Sequence, residues 1–123
     1  MTISEVCDKY DLTADTLRYY EKYGLIEPVA KISGKRDYSD HDLERVEFIQ
    51  CMKRAGLSLG KLKRFLDIGD QSSSAINERI SILVEQRQNL VNELASKQRS
   101  LDFLDYKINL YQYKQDKLNK EES

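Results

Sequence analysis

The strongest constraint on the fold is a heptad pattern that begins at Ile76 and continues to Leu118. Its positions are separated alternately by four and three residues, without a slip, over about six heptads. They are Ile76, Ile80, Leu83, Arg87, Leu90, Leu94, Lys97, Leu101, Leu104, Ile108, Tyr111, Gln115 and Leu118. This spacing predicts one long helix with a narrow apolar stripe. Because no other segment is long enough to cover that stripe, we expect it to pair with a second copy of the chain. The alternative is a single helix that folds back on its own domain.

Short helical signals fill the residues before this helix. Thr2 and Glu5 have the spacing of a capping box, in which each side chain satisfies a free backbone amide at a helix start. Thr13 suits the N-cap of a second helix, and Gly24 suits the left-handed position at its end. Two short helices joined by so brief a turn predict a helix-turn-helix.

Two more helices are expected before the long one. Ser39 and Asp42 repeat the capping-box spacing and open a third helix that should end near Ala55-Gly56. Ser58 suits the N-cap of a fourth helix. Its inward-facing residues are predicted to be Leu59, Leu62, Phe65 and Leu66. Residues 69–74 interrupt the helical pattern and are interpreted as a linker.

Together these signals predict a mainly α protein with three segments. Residues 1–70 form a winged helix-turn-helix, residues 75–118 form a long dimerising helix, and residues 119–123 form a flexible tail.

Overall charge does not favour a nucleic-acid partner. The net charge is −1, and residues 1–70 carry 12 Lys and Arg against 13 Asp and Glu. Because salt confines electrostatic attraction to about 8–10 Å, any affinity for DNA must come from a local cluster of cations.

The expected cellular compartment and class of protein follow from features that the sequence lacks. No apolar stretch approaches the ~20 residues of a membrane span, and no signal-peptide pattern precedes the first helix. Cys7 and Cys51 lie far apart, which suits a reducing cytoplasm better than secretion. His41 is the sole histidine, and no nucleophile–base arrangement stands out. We therefore expect a cytoplasmic protein that is not an enzyme and does not contact a membrane.

The second helix has one face suited to DNA. On a helical wheel, Leu17, Tyr20 and Gly24 face the core. The opposite face carries Ala14, Asp15, Arg18, Tyr19 and Lys22. An arginine there is suited to a guanine edge or a phosphate, and the tyrosine and lysine suit backbone contacts. The alternative is an ordinary solvated, charged face.

A basic β-hairpin is predicted to follow this helix. Ser33-Gly34 separates two short runs between residues 25 and 38, as in a hairpin turn. Lys31, Lys35 and Arg36 lie close to the turn, and Tyr38 follows at the exit. These cations and the tyrosine hydroxyl favour a wing resting on DNA phosphates, although Asp37 weakens the basic character.

Four runs of sequence resemble the MerR family of bacterial regulators. They are Thr2-Ile3-Ser4-Glu5-Val6, residues 16–26 (TLRYYEKYGLI), Arg36-Asp37-Tyr38 and Ala55-Gly56-Leu57-Ser58-Leu59. The resemblance covers about residues 2–68, in the family's order and spacing.

The resemblance implies a homodimer joined by an antiparallel coiled coil. Such dimers bind a pseudo-palindromic operator in double-stranded promoter DNA with an overlong spacer, and distort it so that RNA polymerase can use the promoter. The resemblance assigns Thr13, Arg18, Tyr19, Tyr20 and Lys22 to the reading helix, and Arg36 and Tyr38 to the wing.

Effector sensing has to be argued from the remaining residues. Metal sensors of the family use thiolates near the ends of the coiled coil, but no Cys or His follows Cys51 here, so no metal and no cofactor is expected. The five residues after the seam predict no added ligand-binding domain.

Cys51 is the candidate sensor. Cys7 lies in the apolar stripe of the first helix and is interpreted as a core residue, whereas Cys51 lies at the boundary of the third helix between apolar and charged neighbours. Residues 48–58 resemble the aldehyde- and electrophile-responsive AdhR/NmlR-like branch of the family, which implies covalent modification of Cys51. The alternatives are an ordinary half-buried cysteine in a regulator without thiol sensing, and an architectural or adaptor protein that binds DNA.

Overall fold

The computed structural model describes residues 1–69 and 71–122, and it confirms the mainly helical winged helix-turn-helix. The elements in chain order are α1 (Ile3–Tyr10), α2 (Ala14–Tyr23), β1 (Lys31–Ile32), β2 (Lys35–Arg36), α3 (Asp40–Arg54), α4 (Leu59–Asp67) and α5 (Ser73–Glu122).

The predicted N-caps begin the four short helices. Thr2 caps α1 and Ser39 caps α3, each within a complete capping box. The hydroxyls of Thr13 and Ser58 accept the amides that open α2 and α4. Since each cap satisfies amides that the helix leaves free, the helix starts are fixed by local sequence.

The wing is a two-stranded antiparallel hairpin with a two-residue turn. Lys31 pairs with Arg36, and Ile32 pairs with Lys35. Ser33 and Gly34 both have positive φ, at 51° and 78°. Turns of this kind match the twist of the flanking strands and favour glycine at the second position.

One core lies beneath the short helices and the wing. It contains Val6, Leu17, Tyr20, Leu25, Ile26, Val29, Tyr38, Val46, Ile49, Leu57 and Leu62. Of the predicted inward residues of α4, Leu62 is fully buried, and Leu59 and Leu66 pack partly buried against the core. Gly24 is exposed and does not face the core as the wheel predicted, because it is the left-handed cap that ends α2.

The chain divides into two compact units, the first ending at Gln86 and the second starting at Arg87. The first unit extends beyond the predicted boundary at residue 70 because α5 begins at Ser73 and buries Ala75 and Gln86 in that unit. Asp70 itself lies outside the described residues.

The long helix is continuous from Ser73 to Glu122. Residues 119–122 therefore continue the helix instead of forming the flexible tail that was predicted, and Ser123 lies outside the described residues.

The heptad seam is exposed in both units. In the first unit, Ile76, Ile80 and Leu83 are exposed although Ala75 and Gln86 on the same helix are buried. In the second unit, a groove of about 400 Å³ runs along the seam residues Leu104, Ile108, Tyr111 and Gln115, with Lys107 and Gln112 beside them. The apolar stripe predicted from the heptads thus remains without a cover in the described single chain.

Candidate nucleic-acid interface

The outer face of α2 carries the residues that the wheel placed there. Asp15, Arg18, Tyr19 and Lys22 are exposed, and Ala14 is half-buried. Thr13 precedes them as the N-cap, where its hydroxyl accepts the Thr16 amide at 3.1 Å. The face is therefore available to a ligand, and its orientation is fixed by the cap at the start of the helix.

Two side-chain pairs shape this surface. The Arg18 guanidinium donates to the Asp15 carboxylate at 3.2 Å, one turn earlier on the helix. The rings of Tyr19 and Tyr23 stack with their centroids 5.5 Å apart. Arg18 is thus paired with an acidic side chain, and a DNA phosphate would compete with that acid for the guanidinium.

The wing is joined to α2 by an ion pair. Glu21 accepts Arg36 Nη2 at 3.1 Å and Nε at 3.4 Å, and it also accepts the Val29 amide at 2.9 Å. Arg36 therefore positions the wing, while Lys31 and Lys35 extend from it into solvent.

The charges of this pair reinforce each other. The hydrogen bond from Arg36 is the largest influence that lowers the pKa of Glu21 below its usual value, and the Val29 amide adds to it. The same bond raises the pKa of Arg36. Both groups are ionised at neutral pH, so the connection between helix and wing is a charge-assisted one.

A cleft of about 370 Å³ separates the wing from the start of α1. Its lining consists of Thr2, Ile3, Ser4, Arg18, Gly34, Lys35 and Arg36. Three cationic side chains from α2 and the wing thus line one cleft with the start of α1, where the capping box already holds the Thr2 and Glu5 amides. This arrangement suits an anionic group such as a backbone phosphate.

Two predicted contact residues lie in the core instead of on this surface. Tyr20 is 1% exposed, and its hydroxyl accepts Lys53 Nζ at 3.3 Å. Tyr38 is 2% exposed, and burial raises the pKa of its hydroxyl. The exit of the hairpin turns the Tyr38 ring inward, so the surface hydroxyl predicted from the sequence is corrected to a buried one.

The sequence analysis missed the groups that hold the wing in place. The Met1 ammonium pairs with Asp37 at 3.0 Å and donates to the Tyr38 carbonyl at 3.1 Å. Asp37, the acid that weakens the basic character of the wing, is therefore paired with the Met1 ammonium. Glu21 is 15 residues from Arg36, a separation that gives no periodic signal.

The two cysteines occupy different environments. Cys7 is half-buried and packs against the core, as predicted, whereas Cys51 is exposed near the end of α3. Glu47, one turn before Cys51, accepts the Tyr10 hydroxyl at 2.9 Å. Within residues 1–69 and 71–122, no group of three or more His, Cys, Asp or Glu side chains is arranged to hold a metal ion.

Two family descriptions match the chain. Residues 1–67 match the family described as MerR HTH family regulatory protein, and residues 43–106 match the one described as MerR, DNA binding. In the described residues, no helix has the length and apolar content needed to cross a bilayer.

Named relatives are transcription regulators. The HTH-type transcriptional regulator AdhR of Bacillus subtilis is 44% identical over 92 residues, which cover 74% of this chain and 66% of AdhR. An HTH-type transcriptional regulator of Haemophilus influenzae is 36% identical over 90% of this chain and 83% of its own length. These names confirm the expectation of a regulator and not an enzyme.

Solved structures share the fold, and their similarity covers more of this chain than the match to AdhR does. A MerR family regulator from Listeria monocytogenes is 34% identical, with a TM-score of 0.80 over 100% of this chain and 99% of that one. HiNmlR, described as a MerR family regulator lacking the sensor domain and bound to promoter DNA, is 36% identical, with a TM-score of 0.76 over 90% and 89% of the two chains. The chain belongs to the MerR family of helix-turn-helix transcription regulators, on its AdhR/NmlR-like branch.

Proposed function

We propose that the chain works as a homodimer that binds and distorts promoter DNA and responds to aldehydes or other thiol-reactive electrophiles through Cys51. The observation that carries the DNA-binding part is the cleft where Arg18, Lys35 and Arg36 meet the start of α1. It places cations from two elements around one position suited to a phosphate, although the net charge of the chain is −1.

The arrangement supports a contact that spans α2 and the wing. Arg18, Tyr19 and Lys22 would lie along the major groove, while Lys35 would follow the backbone beside it. In a dimer, two such surfaces would grip a pseudo-palindromic operator. Backbone contacts of this kind offset the free-energy cost of deforming the promoter DNA, which is on the order of several kcal/mol. This deformation would realign the promoter elements for RNA polymerase.

The exposed seam supports dimerisation through α5. Ile80, Leu83 and Leu94 are among its exposed apolar residues, and a 50-residue helix cannot cover them alone. An antiparallel coiled coil of two copies buries both stripes along their length. We place this dimer in the cytoplasm, where promoter DNA and RNA polymerase are found.

Exposure supports Cys51 as the sensor. Its thiol lies on the surface of α3, whereas the Cys7 side chain packs against the core. Addition of a thiol to an aldehyde forms a sulfur–carbon bond and transfers the thiol proton to the former carbonyl oxygen, giving a hemithioacetal. The resulting adduct adds bulk and a hydroxyl at the surface of α3.

Replacement of each cysteine tests the sensor. Cys51→Ser should abolish promoter activation by formaldehyde or methylglyoxal while leaving operator affinity unchanged, and Cys7→Ser should retain the response. Intact-mass analysis should find the adduct in the Cys7 variant and not in the Cys51 variant. An unchanged response of Cys51→Ser would favour a regulator without thiol sensing.

Footprinting tests the regulatory role against an architectural one. A regulator that deforms its operator should protect one symmetric site, with enhanced cleavage at the centre. Diffuse protection without a central enhancement would favour an architectural or adaptor protein.

A further inference from the structure

The C-terminus of α3 is closed by a side chain from α5. Within the turn, the Cys51 carbonyl accepts the Ala55 amide at 3.1 Å, and the Met52 carbonyl accepts the Leu57 amide at 3.0 Å. The Ala55 carbonyl points beyond the helix and accepts Gln86 Nε2 at 2.7 Å. The hydrogen bonds of the turn that begins at Cys51 therefore continue to Gln86 on the long helix.

Gln86 is unusual among the polar residues of α5. It is 9% exposed and is the one buried polar residue of α5, among the residues of that helix that the structure describes. A buried amide whose partner moves away loses a hydrogen bond that water cannot readily replace. The bond therefore resists any displacement of α3 relative to this part of α5.

Gly56 permits the close approach. Its φ is +90°, and a Cβ at this position would lie 3.0 Å from Gln86 Nε2. A side chain here would both strain the backbone and displace the glutamine. The close packing of Gln86 against the last turn of α3 thus depends on the glycine at position 56.

Other polar connections to α5 lie further from the end of α3: Arg79 donates to the Ile68 carbonyl beyond α4, and two ion pairs lie at the surface. Lys61 pairs with Glu85 at 3.2 Å, and Arg64 pairs with Glu78 at 3.0 Å. All four side chains are largely exposed, and surface ion pairs contribute little to stability. The buried bond of Gln86 is the stiffer connection between the end of α3 and the long helix.

We propose that Gln86 is a positioning residue that transmits the modification of Cys51 to the dimer helix. An adduct on Cys51 displaces the last turn of α3, and the Ala55 carbonyl moves with it through the Cys51–Ala55 backbone bond. Because Gln86 stays bonded to that carbonyl, the part of α5 around Gln86 shifts with it. This inference rests on the proposed electrophile response and assigns its route.

Variants of Gln86 test the route in the full-length protein. Gln86→Met keeps the length of the side chain but removes the donor, Gln86→Lys restores a donor near a helix C-terminus, and Glu85→Gln breaks the neighbouring exposed ion pair. We expect Gln86→Met to form the Cys51 adduct and bind its operator as the wild type does, yet to lose about fivefold or more of the induction ratio. Gln86→Lys should restore most of it, and Glu85→Gln should behave as wild type.

Hydrogen exchange separates this route from the sensor chemistry itself. In a Cys7→Ala background, methylthiolation of Cys51 should change the exchange of residues 80–90 in the chain with Gln86 and leave it unchanged with Gln86→Met. Full induction in Gln86→Met, or no exchange change with Gln86 present, overturns the route. If the exchange changes but aldehydes alter no transcription, the proposed function fails while the mechanical coupling stands.

Discussion

Glu21 on the reading helix holds Arg36 on the wing through two donor nitrogens, the nearer at 3.1 Å. Both side chains are more than two-thirds buried, so water screens the pair less than an exposed one. The spacing between the reading helix and the wing is therefore built into the free protein. A DNA-binding surface that is already positioned loses less conformational entropy when it binds.

Removal of the Glu21 charge should loosen the wing. We expect Glu21→Gln to lower the free energy of unfolding at pH 7 by about 1–2 kcal/mol, since a charge-assisted hydrogen bond is lost. Urea denaturation measures this change. Glu27→Gln, at an exposed site in the same segment, is the control and should stay within about 0.5 kcal/mol of the wild type.

The same pair predicts a pH dependence. The pKa of Glu21 is lowered below 4.5 in the folded chain, chiefly by Arg36. The carboxylate therefore contributes stability that is present above the unfolded pKa and is lost as the pH falls through the folded pKa. The stability difference between the wild type and Glu21→Gln should be full at pH 7 and should shrink below pH 4.5. A difference that grows on acidification would contradict this assignment.

Asp15 should restrain the DNA-reading arginine. Its side chain is 95% exposed and pairs with Arg18 at 3.2 Å, so it both occupies the guanidinium and repels phosphate. We expect Asp15→Asn to tighten operator binding about two- to fivefold, and Arg18→Gln to weaken it about tenfold or more. Fluorescence anisotropy at several salt concentrations measures both. Asp8→Asn, an exposed acid on α1, should have a smaller effect than Asp15→Asn.

Features encoded by neighbouring residues were predictable, whereas those set by packing were not. The caps at Thr2, Thr13 and Ser39 depend on contacts three residues apart, so the sequence shows them directly. The inward turn of Tyr38 depends on the core that surrounds it, and a tyrosine in a short connection gives no sign of its direction. Gln86 escaped notice because heptad analysis looks for apolar positions.

The buried hydroxyl of Tyr38 offers a test of the wing. Among the described residues it has no hydrogen-bond partner. Since burial of an unsatisfied hydroxyl is unfavourable, Tyr38→Phe should raise the free energy of unfolding by about 1 kcal/mol. Tyr19→Phe, at an exposed ring, should leave stability within about 0.5 kcal/mol. A destabilised Tyr38→Phe would show that the hydroxyl is bonded in solution.

Two neighbouring residues of α5 distinguish the effect of the heptad seam on dimerisation from the effect of general surface hydrophobicity. Leu104 lies on the seam and is 56% exposed in the single chain, while Phe103 lies off the seam and is 59% exposed. Lysine at position 104 would be buried twice at a symmetric interface, once from each copy, whereas lysine at position 103 would stay in solvent. We expect Leu104→Lys to raise the dimer dissociation constant by on the order of tenfold or more, and Phe103→Lys to leave it nearly unchanged. Sedimentation equilibrium distinguishes the two, and equal effects of both variants would remove the seam as the dimer interface.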